Sequence, residues 1–451
     1  QSSDKPIPIP RSLTLDTATI QKSQKESVRR TNVPVRRHST SLEESARISR
    51  SYDSLHYDAP TDTYVTEMHL TVLKDILRCW RNMLCTPTIS LAGACWEDFE
   101  IIESESQPEV SENQDSVSLQ VRLRKESTNL DSNNCCGQYI AKIKCKTQGN
   151  GNSNTKSPFD QDYSVSTNLE PHENVSRVLA YFRGEIQSSI LGVGDDISPF
   201  HTTISISDQV PTQTCAEFIV QSKHAHSDYT SYEKAVCMLM LQCLKGVMHL
   251  HNSGFTHGNL NLNNLFLIKH DRDFQLLIGN FGNSQLLSKE RRASALYSKM
   301  DDSQMEVSND QNDFMAISEI FTTMLYHDHN GNGTHASKSS CSTLSKHLRR
   351  ASERLRDRSV STHQVTCFLQ ALLWGPFELG ENIVIVSENK MSQWLTRQRT
   401  EFVAKLAMDE ALARTVGENS RKFSMEDFLY CDYLTTATPS SLARTEKCWF
   451  L

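Results

Sequence analysis

Five positions in this chain carry side chains that could do chemistry together. His257, Asn259 and Asn264 sit close in His257-Gly258-Asn259-Leu260-Asn261-Leu262-Asn263-Asn264. Asn280 follows in Asn280-Phe281-Gly282, and Lys142 stands far upstream in Tyr139-Ile140-Ala141-Lys142-Ile143. A lysine can hold phosphate as a point charge. An amide oxygen is neutral, is a very poor base at neutral pH, and offers no negative charge to a hard divalent cation. The set can bind and hydrogen-bond, but it contains no carboxylate to take a proton or grip a metal ion.

The elements that must position these residues are visible around them. Val236, Met240, Cys243, Val247 and Leu250 line one face of a long helix before the Asn-rich loop. The apolar run Leu265-Phe266-Leu267-Ile268 follows it. This order resembles the catalytic core of a protein kinase, which reads His-Arg-Asp-Leu-x-x-x-Asn and then Asp-Phe-Gly. The matching positions are His257, Gly258, Asn259, Leu260 and Asn264, then Asn280, Phe281 and Gly282. In a kinase the first aspartate accepts the substrate hydroxyl proton and the second holds magnesium against the phosphates. Both are asparagine here. Loss of a positioned general base costs roughly 10²–10⁴-fold in rate. Loss of the metal carboxylate acts on the same transition state, so the two effects need not multiply. The resemblance implies an α+β bilobal fold, with a β-rich small lobe and a helical large lobe. The substitutions imply a pseudokinase with no cofactor and no metal.

Other landmarks fall in order. Trp96–Ile102 and Val117–Arg124 alternate like antiparallel strands. Between them, where a kinase has a glycine-rich cover over phosphates, stands Glu103-Ser104-Glu105-Ser106-Gln107-Pro108-Glu109-Val110-Ser111-Glu112. Without glycine the backbone cannot approach phosphate as closely, and clustered carboxylates repel a triphosphate. Tyr139–Ile143 resembles the Val-Ala-Ile-Lys strand, with Lys142 at the phosphate-contacting position. Residues 146–170 read as a flexible Asn/Ser/Thr/Gly insert. A helix is predicted around His172–Ile190, in the place of the regulatory helix, and either Glu173 or Glu185 would be the partner of Lys142. Thr202–Ser207 and Cys215–Val220 are predicted as strands. Asn280 to Asp313 would be the activation segment, with a phosphosite candidate at Ser294. Asp313 opens a helix and is assigned a structural role, tying that helix to the catalytic-loop backbone. The segment from Arg358 to Val365 resembles the Arg-Pro-Ser/Thr stretch late in kinase large lobes. His327, His329 and His335 fall in a polar loop, read as solvated rather than metal-binding.

The chain has 451 residues, a net charge of −7 and 13 cysteines. Two to three domains are the expectation from length, and nonspecific nucleic-acid binding is not favoured. No apolar run long enough for a membrane span occurs. The chain opens on Gln1, and a fragment of a longer protein is expected. The cysteines lack zinc-site spacing and read as reduced thiols of a cytosolic protein. The hydrophobic fraction of 37% is low, which predicts substantial disordered length. Residues 1–62 are the expected disordered region. Within it, Pro6-Ile7-Pro8-Ile9-Pro10-Arg11 has the form of an SH3 ligand. Ser39 follows two arginines and, once phosphorylated, would suit a 14-3-3 protein. Tyr57-Asp58-Ala59-Pro60 matches an SH2 preference, with Tyr52 a second candidate.

Leu70, Leu73, Leu77, Trp80 and Leu84 recur at alternating steps of three and four, a narrow helical seam. From periodicity alone, dimerisation and packing on the chain's own domain are equally open. Phe368-Leu369-Gln370-Ala371-Leu372-Leu373-Trp374-Gly375-Pro376, the segment from Tyr232 to Cys243, this seam, and a tail with Trp394 and Met425–Leu434 together resemble the PEAK, or pragmin-like, family of pseudokinases. The resemblance covers roughly residues 64–448. The vertebrate members keep the loop aspartate that is Asn259 here, so this is a divergent member. The resemblance implies domains at 1–62 (docking motifs), 63–90 (dimerisation helix), 91–220 (small lobe), 221–378 (large lobe) and 379–451 (C-terminal helical dimerisation region). It implies dimerisation through Leu70, Leu73, Leu77, Trp80 and Leu84 with Trp394, Phe402 and Leu406. It also implies homo- or heterodimers with PEAK-type pseudokinases, and recruitment of SH2, SH3 and 14-3-3 partners to a cytoplasmic phosphoprotein scaffold in tyrosine-kinase, cytoskeletal and cell-migration signalling, at the cytoskeleton or adhesions.

Two alternatives remain open on sequence. One is a weak or atypical kinase using a displaced acid, Asp271 or Asp273. The other is a nucleotide sensor that binds without reacting, which Lys142 and Asn264 permit.

Overall fold

Alternating apolar residues build the first layer. Strand β2 (Ser116–Leu123) buries Val117, Leu119, Val121 and Leu123 and exposes Ser118, Gln120 and Arg122, the period-two pattern of a half-buried strand. It runs antiparallel between β1 (Phe99–Ile101) and β3 (Gln138–Lys144). Strand β5 (Pro199–Ser207) pairs with β3, and β4 (Ala180–Gln187) closes the edge. The order is β1-β2-β3-β5-β4. Val121, Ala141, Ile143, Ile186, Ile204 and Ile206 form the core on this sheet. This computed structural model describes residues 59–87, 91, 93–102, 116–124, 138–145, 157–187, 199–225, 229–287, 309–326, 343–357, 360–376, 388–416 and 423–449.

Three expectations are corrected in this region. The helix predicted at His172–Ile190 is absent, and its second half is strand β4. The helix stands earlier, as α2 (Pro158–Asn168), inside the stretch read as a flexible insert. Its start is locally encoded: Ser157 accepts from Asp160 N at 3.3 Å and Pro158 takes the first turn. In β4, Gly184 sits so near the Trp96 side chain that an added Cβ would come within 2.8 Å of it, a close approach typical of strand glycines. The third correction is Cys215–Val220, predicted as a strand. It begins helix α3 (Cys215–Ala225). Thr214 N donates to the Glu217 carboxylate at 2.6 Å and Glu217 N donates to Thr214 Oγ1 at 3.2 Å, a reciprocal cap that starts a helix.

The second layer is helical. Helix α4 (Tyr229–Asn252) runs through its centre, with Val236, Met240, Cys243, Leu244, Val247 and Leu250 fully buried. Around it lie α5 (Asn309–Tyr326), α6 (Thr343–Arg356) and α7 (Thr362–Trp374). Ser361 caps α7 in a reciprocal pair with Gln364. Short strands carry the loops of interest. Strands β6 (Gln213–Thr214), β8 (Leu265–Lys269) and β9 (Phe274–Ile278) make one sheet, and β7 (Phe255–Thr256) pairs with β10 (Gln285–Leu286).

The N-terminal helix α1 (Ala59–Cys85) joins the C-terminal helices α8 (Glu388–Val416), α9 (Met425–Thr436) and α10 (Pro439–Trp449). Leu73, Leu77 and Leu84 are buried, while Leu70 and Trp80 are half-buried. Trp80 meets Phe423 edge-on at 6.0 Å, and Cys431 Sγ donates to Leu73 O. Phe402 and Leu406 of α8 are buried and Trp394 is half-buried. These side chains are used inside one chain, so the face of α1 left open is the one carrying Met68 and Met83, 43% and 53% exposed. Trp374 and Gly375, the distinctive pair at the end of α7, have structural work here. Trp374 lies against Tyr430 and Tyr433 of α9 at 5.6 and 5.9 Å. Gly375 abuts Ala371 O, where an added Cβ would sit at 2.4 Å.

Asp432 is the polar bolt of this assembly. It accepts from Lys245 of α4 and from Arg81 of α1, the latter at 3.3 Å, and its side chain is only 9% exposed. Arg81 also reaches the buried Glu173 at 3.4 Å. Removing one member of a buried pair strands the other, at a cost of about 3 kcal/mol. Asp432→Ala is therefore expected to lower Tm by roughly 5 °C, and adding Lys245→Met should recover part of the loss. An Asp432→Ala melt that matches wild type would refute this role.

Candidate functional site

The predicted residues converge on a cleft between the two layers. Lys142 projects from β3, where it sits in register with Ser118 and Ser205. Its Nζ donates to Asn280 Oδ1 at 2.9 Å. Asn280 Nδ2 donates to Asn264 Oδ1 at 2.8 Å, and Asn264 Nδ2 donates to the Asn259 carbonyl at 2.8 Å. Four of the five predicted residues thus form one hydrogen-bonded ladder. Asn280 adopts φ 63°, ψ 59°, a left-handed conformation that asparagine tolerates better than most residues.

His257 stands behind the ladder. Its Nε2–H donates to Gly279 O at 3.0 Å, and Nδ1 accepts from Asn259 N at 3.3 Å. Burial pushes its pKa down, so the ring is neutral, and it packs against buried Phe281 with centroids 5.4 Å apart. Histidine and phenylalanine here are core, holding the two loops in place.

One functional residue escaped sequence reasoning. Asp162 on α2 takes Lys142 at 2.6 Å, and its other oxygen accepts from Phe281 N at 2.7 Å. Neither Glu173 nor Glu185 pairs with Lys142: the first faces Arg81, and the second lies exposed on edge strand β4. The usable signal was Ser157-Pro158, a helix start, followed by acids at Asp160 and Asp162. Lys144 and Asp160 make a parallel rung at 2.9 Å.

The loop is held from below by Asp313. Its carboxylate accepts from His257 N at 2.8 Å, Gly258 N at 2.9 Å and His251 Nε2 at 2.9 Å. This is the structural role expected for it. Burial opposes its ionisation, but hydrogen bonds from His251 and the two amides outweigh burial and hold its carboxyl below the usual range. Gly258 replaces the kinase arginine. It has φ +74°, and an added Cβ would meet Asn283 O at 2.5 Å, so no larger residue fits without moving the loop. The arginine that could answer a phosphorylated activation loop is therefore missing.

The displaced acids do not stand in. Asp273 accepts from Ser424 Oγ at 2.9 Å and from Glu426 N at 2.7 Å, capping α9. Asp271 is exposed on the same turn, 3.7 Å from Arg272. Ser39, Tyr52, Tyr57, Ser294, the Glu103–Glu112 stretch and His327, His329 and His335 lie outside the described residues. Among the described residues no helix is long and apolar enough to cross a membrane, and no three potential metal ligands cluster.

No family model matches the chain. The inactive tyrosine-protein kinase PRAG1 of Rattus norvegicus is 24% identical over 391 residues, covering 68% of this chain and 27% of PRAG1. The inactive tyrosine-protein kinase PEAK1 of Mus musculus is 26% identical over 298 residues, covering 54% of this chain and 16% of PEAK1. The chain thus spans about a quarter, or less, of the length of these curated relatives. A crystal structure of the PEAK1 pseudokinase superposes with a TM-score of 0.58 at 20% identity, covering 85% of this chain and 98% of that one. The chain is a relative of the PEAK-type inactive kinases. Its bilobal kinase-like fold agrees with that kinship.

The cleft does not fit a catalytic magnesium ion. The side-chain oxygens of Asn280 and Asn264 are both engaged as acceptors. Neither oxygen carries the charge that a hard cation favours.

Asp313→Asn tests the anchor. Its depressed carboxyl contributes stability that is fully present above the unfolded value near ~4 and is lost as pH falls through the folded value. At pH 7 the variant should melt lower by about 2–4 kcal/mol of stability, and the gap to wild type should narrow below about pH 4. A gap constant with pH would remove the ionised anchor. Gly258→Ala should separately cost about 1–3 kcal/mol through its positive φ and the Asn283 contact.

Proposed function

We propose that this chain is a non-catalytic, kinase-shaped scaffold. The observation that carries the reading is the closed ladder from Asp162 through Lys142, Asn280 and Asn264 to Asn259. It uses the groups a nucleotide and its metal would need, and uses them to hold the two lobes together. The PRAG1 and PEAK1 relatives are named inactive kinases, which supports the same conclusion. Assembly is the remaining task for such a body. A second copy, or another PEAK-type pseudokinase, would meet the helical region formed by α1 and α8–α10, through the open face with Met68 and Met83. Tyr52 and Tyr57 would offer SH2 docking once phosphorylated, Ser39 a 14-3-3 site, and Pro6–Arg11 an SH3 site. The setting this implies is cytoplasmic, at the cytoskeleton or adhesions, in tyrosine-kinase and cell-migration signalling.

Millimolar Mg-ATP is expected to leave Tm unchanged. A ligand present at a hundred times its Kd would add about 2.7 kcal/mol, so a rise of several degrees would sink the closed-cleft reading. Phosphoryl transfer to a peptide at ordinary kinase rates would sink the non-catalytic one. Light scattering at tens of micromolar should return the dimer mass for wild type and the monomer mass for Met68→Glu/Met83→Glu. A wild-type monomer would remove the assembly claim.

A further inference from the structure

Residues 172–177 lead from α2 towards β4, and α1, both lobes and the cleft loop all hold on to them. Towards α1, Arg81 Nε stands 3.4 Å from the Glu173 carboxylate, and Arg177 Nη1 donates to Leu84 O in the last turn of α1 at 3.0 Å. Towards the stretch after β5, the Arg177 guanidinium holds both oxygens of Asp208, at 2.9 and 2.6 Å. Arg177 N donates to Gln209 Oε1 at 2.9 Å. Towards the cleft, Ile278 N donates to Asn174 O at 3.0 Å and Ser176 N donates to Ile278 O at 2.8 Å. Ile278 ends β9, and Gly279 and Asn280 follow it directly.

The segment has little room to move by itself. An added Cβ on Gly246 of α4 would lie 2.9 Å from Asn174 O, and one on Gly279 would lie 3.3 Å from the Ser176 side chain. Asn174 Nδ2 donates to Gln242 Oε1 at 3.1 Å and to Leu276 O at 2.9 Å, so it is wedged between α4 and β9. Glu173 is 2% exposed. The His172 ring, 3.9 Å from its carboxylate, is neutral at pH 7 because burial pushes that pKa down to about 4. Arg81 is therefore the cation at ion-pair distance from Glu173 among the described residues. Lifting the end of α1 strands this buried carboxylate and takes the Arg177 cap from the last α1 carbonyls. Both penalties fall on the segment that β9 is bonded to.

The other end of the path is the Lys142 clasp. Asp162 accepts from Lys142 and from Phe281 N, and Lys142 also donates to Asn280 Oδ1. The loop that Ile278 feeds is thus the loop that the clasp holds. Proteins open locally in contiguous cooperative units, and these contacts are contiguous from Leu84 to Asp162.

We propose that residues 172–177 are a relay that makes the end of α1 and the Lys142 clasp open and close as one unit. Such coupling is reciprocal. Whatever steadies α1 tightens the clasp, and whatever breaks the clasp loosens α1. On the assembly reading, a second copy bound at Met68 and Met83 is what steadies α1; the relay itself does not need that reading.

Hydrogen exchange of the whole chain, read by mass spectrometry, tests both directions. Arg177→Lys keeps a cation for Asp208 but lacks the fork that also reaches Leu84 O. It should speed exchange at residues 276–282 by about fivefold or more, the lower end of ordinary coupling. Asp162→Asn breaks the clasp at a residue whose own partners, Lys142 and Phe281, lie outside α1. It should speed exchange at residues 81–85 by a similar factor. Asn280→Gly, which suits the φ of 63°, also breaks the clasp and carries the reverse arm if the Asp162 variant melts early. Residues 365–372 of α7 should keep wild-type rates throughout. The same shifts are expected in the Met68→Glu/Met83→Glu background. An effect in one direction only, or an equal rise in α7, would overturn the relay. So would shifts that vanish in the Met68→Glu/Met83→Glu background, since they would then belong to contacts between copies.

Discussion

One carboxylate joins the two lobes. Asp162 takes the Lys142 ammonium with one oxygen and the Phe281 backbone amide with the other. The first contact belongs to the small-lobe sheet and the second to the loop after β9, so α2 is pinned between them. An active kinase also pairs its strand lysine with a helix carboxylate, but there the lysine serves a nucleotide phosphate and a second carboxylate holds the metal. Here the next group along is the Asn280 amide, which can accept from Lys142 and pass a hydrogen bond on to Asn264. A carboxylate at that position could accept but not donate, and the ladder would stop. The amide that removes the chemistry is the same group that lets the cleft close on itself.

The retained and lost acids separate cleanly by task. Asp313 is buried and accepts three hydrogen bonds, two of them from the loop backbone. Without it those donors would be stranded in the core, a folding cost paid in every state of the molecule. The carboxylates absent at Asn259 and Asn280 serve only the reaction, so their loss leaves the architecture intact. Gly258 carries the change further. A residue with positive φ against the Asn283 carbonyl fixes the loop in a shape that an arginine could not share.

The same economy appears at the far end of the large lobe. Asp273, a turn residue that could pass for a displaced catalytic acid, caps α9. Asp432 links α1, α4 and α9, and Trp374 seats α7 against Tyr430 and Tyr433. Residues before and after the kinase-like body are thereby built into its large lobe by buried polar contacts as well as by apolar packing. Buried polar contacts of this kind select one arrangement, because any other leaves a charge unpaired.

Much of this was legible in the chain. The alternation in Ser116–Leu123 and Tyr139–Ile143, the stripe from Val236 to Leu250, the two asparagines and the structural role of Asp313 follow from local spacing and side-chain chemistry, which do not depend on distant residues. The place of α2 was encoded as well, in Ser157-Pro158, but a polar composition around it masked the cap. Other features had no local signal. Which acid meets Lys142 is settled by how α2 docks on β3, since Asp162, Glu173 and Glu185 all carry the same charge. Leu73, Leu77 and Leu84 are buried in one core with Phe428, Leu429 and Cys431 of α9, more than three hundred residues away; a seam's periodicity says that it will be covered and not by what. A sequence states what each side chain needs, and only the folded chain decides which neighbour supplies it, because burial and pairing are properties of distance in space.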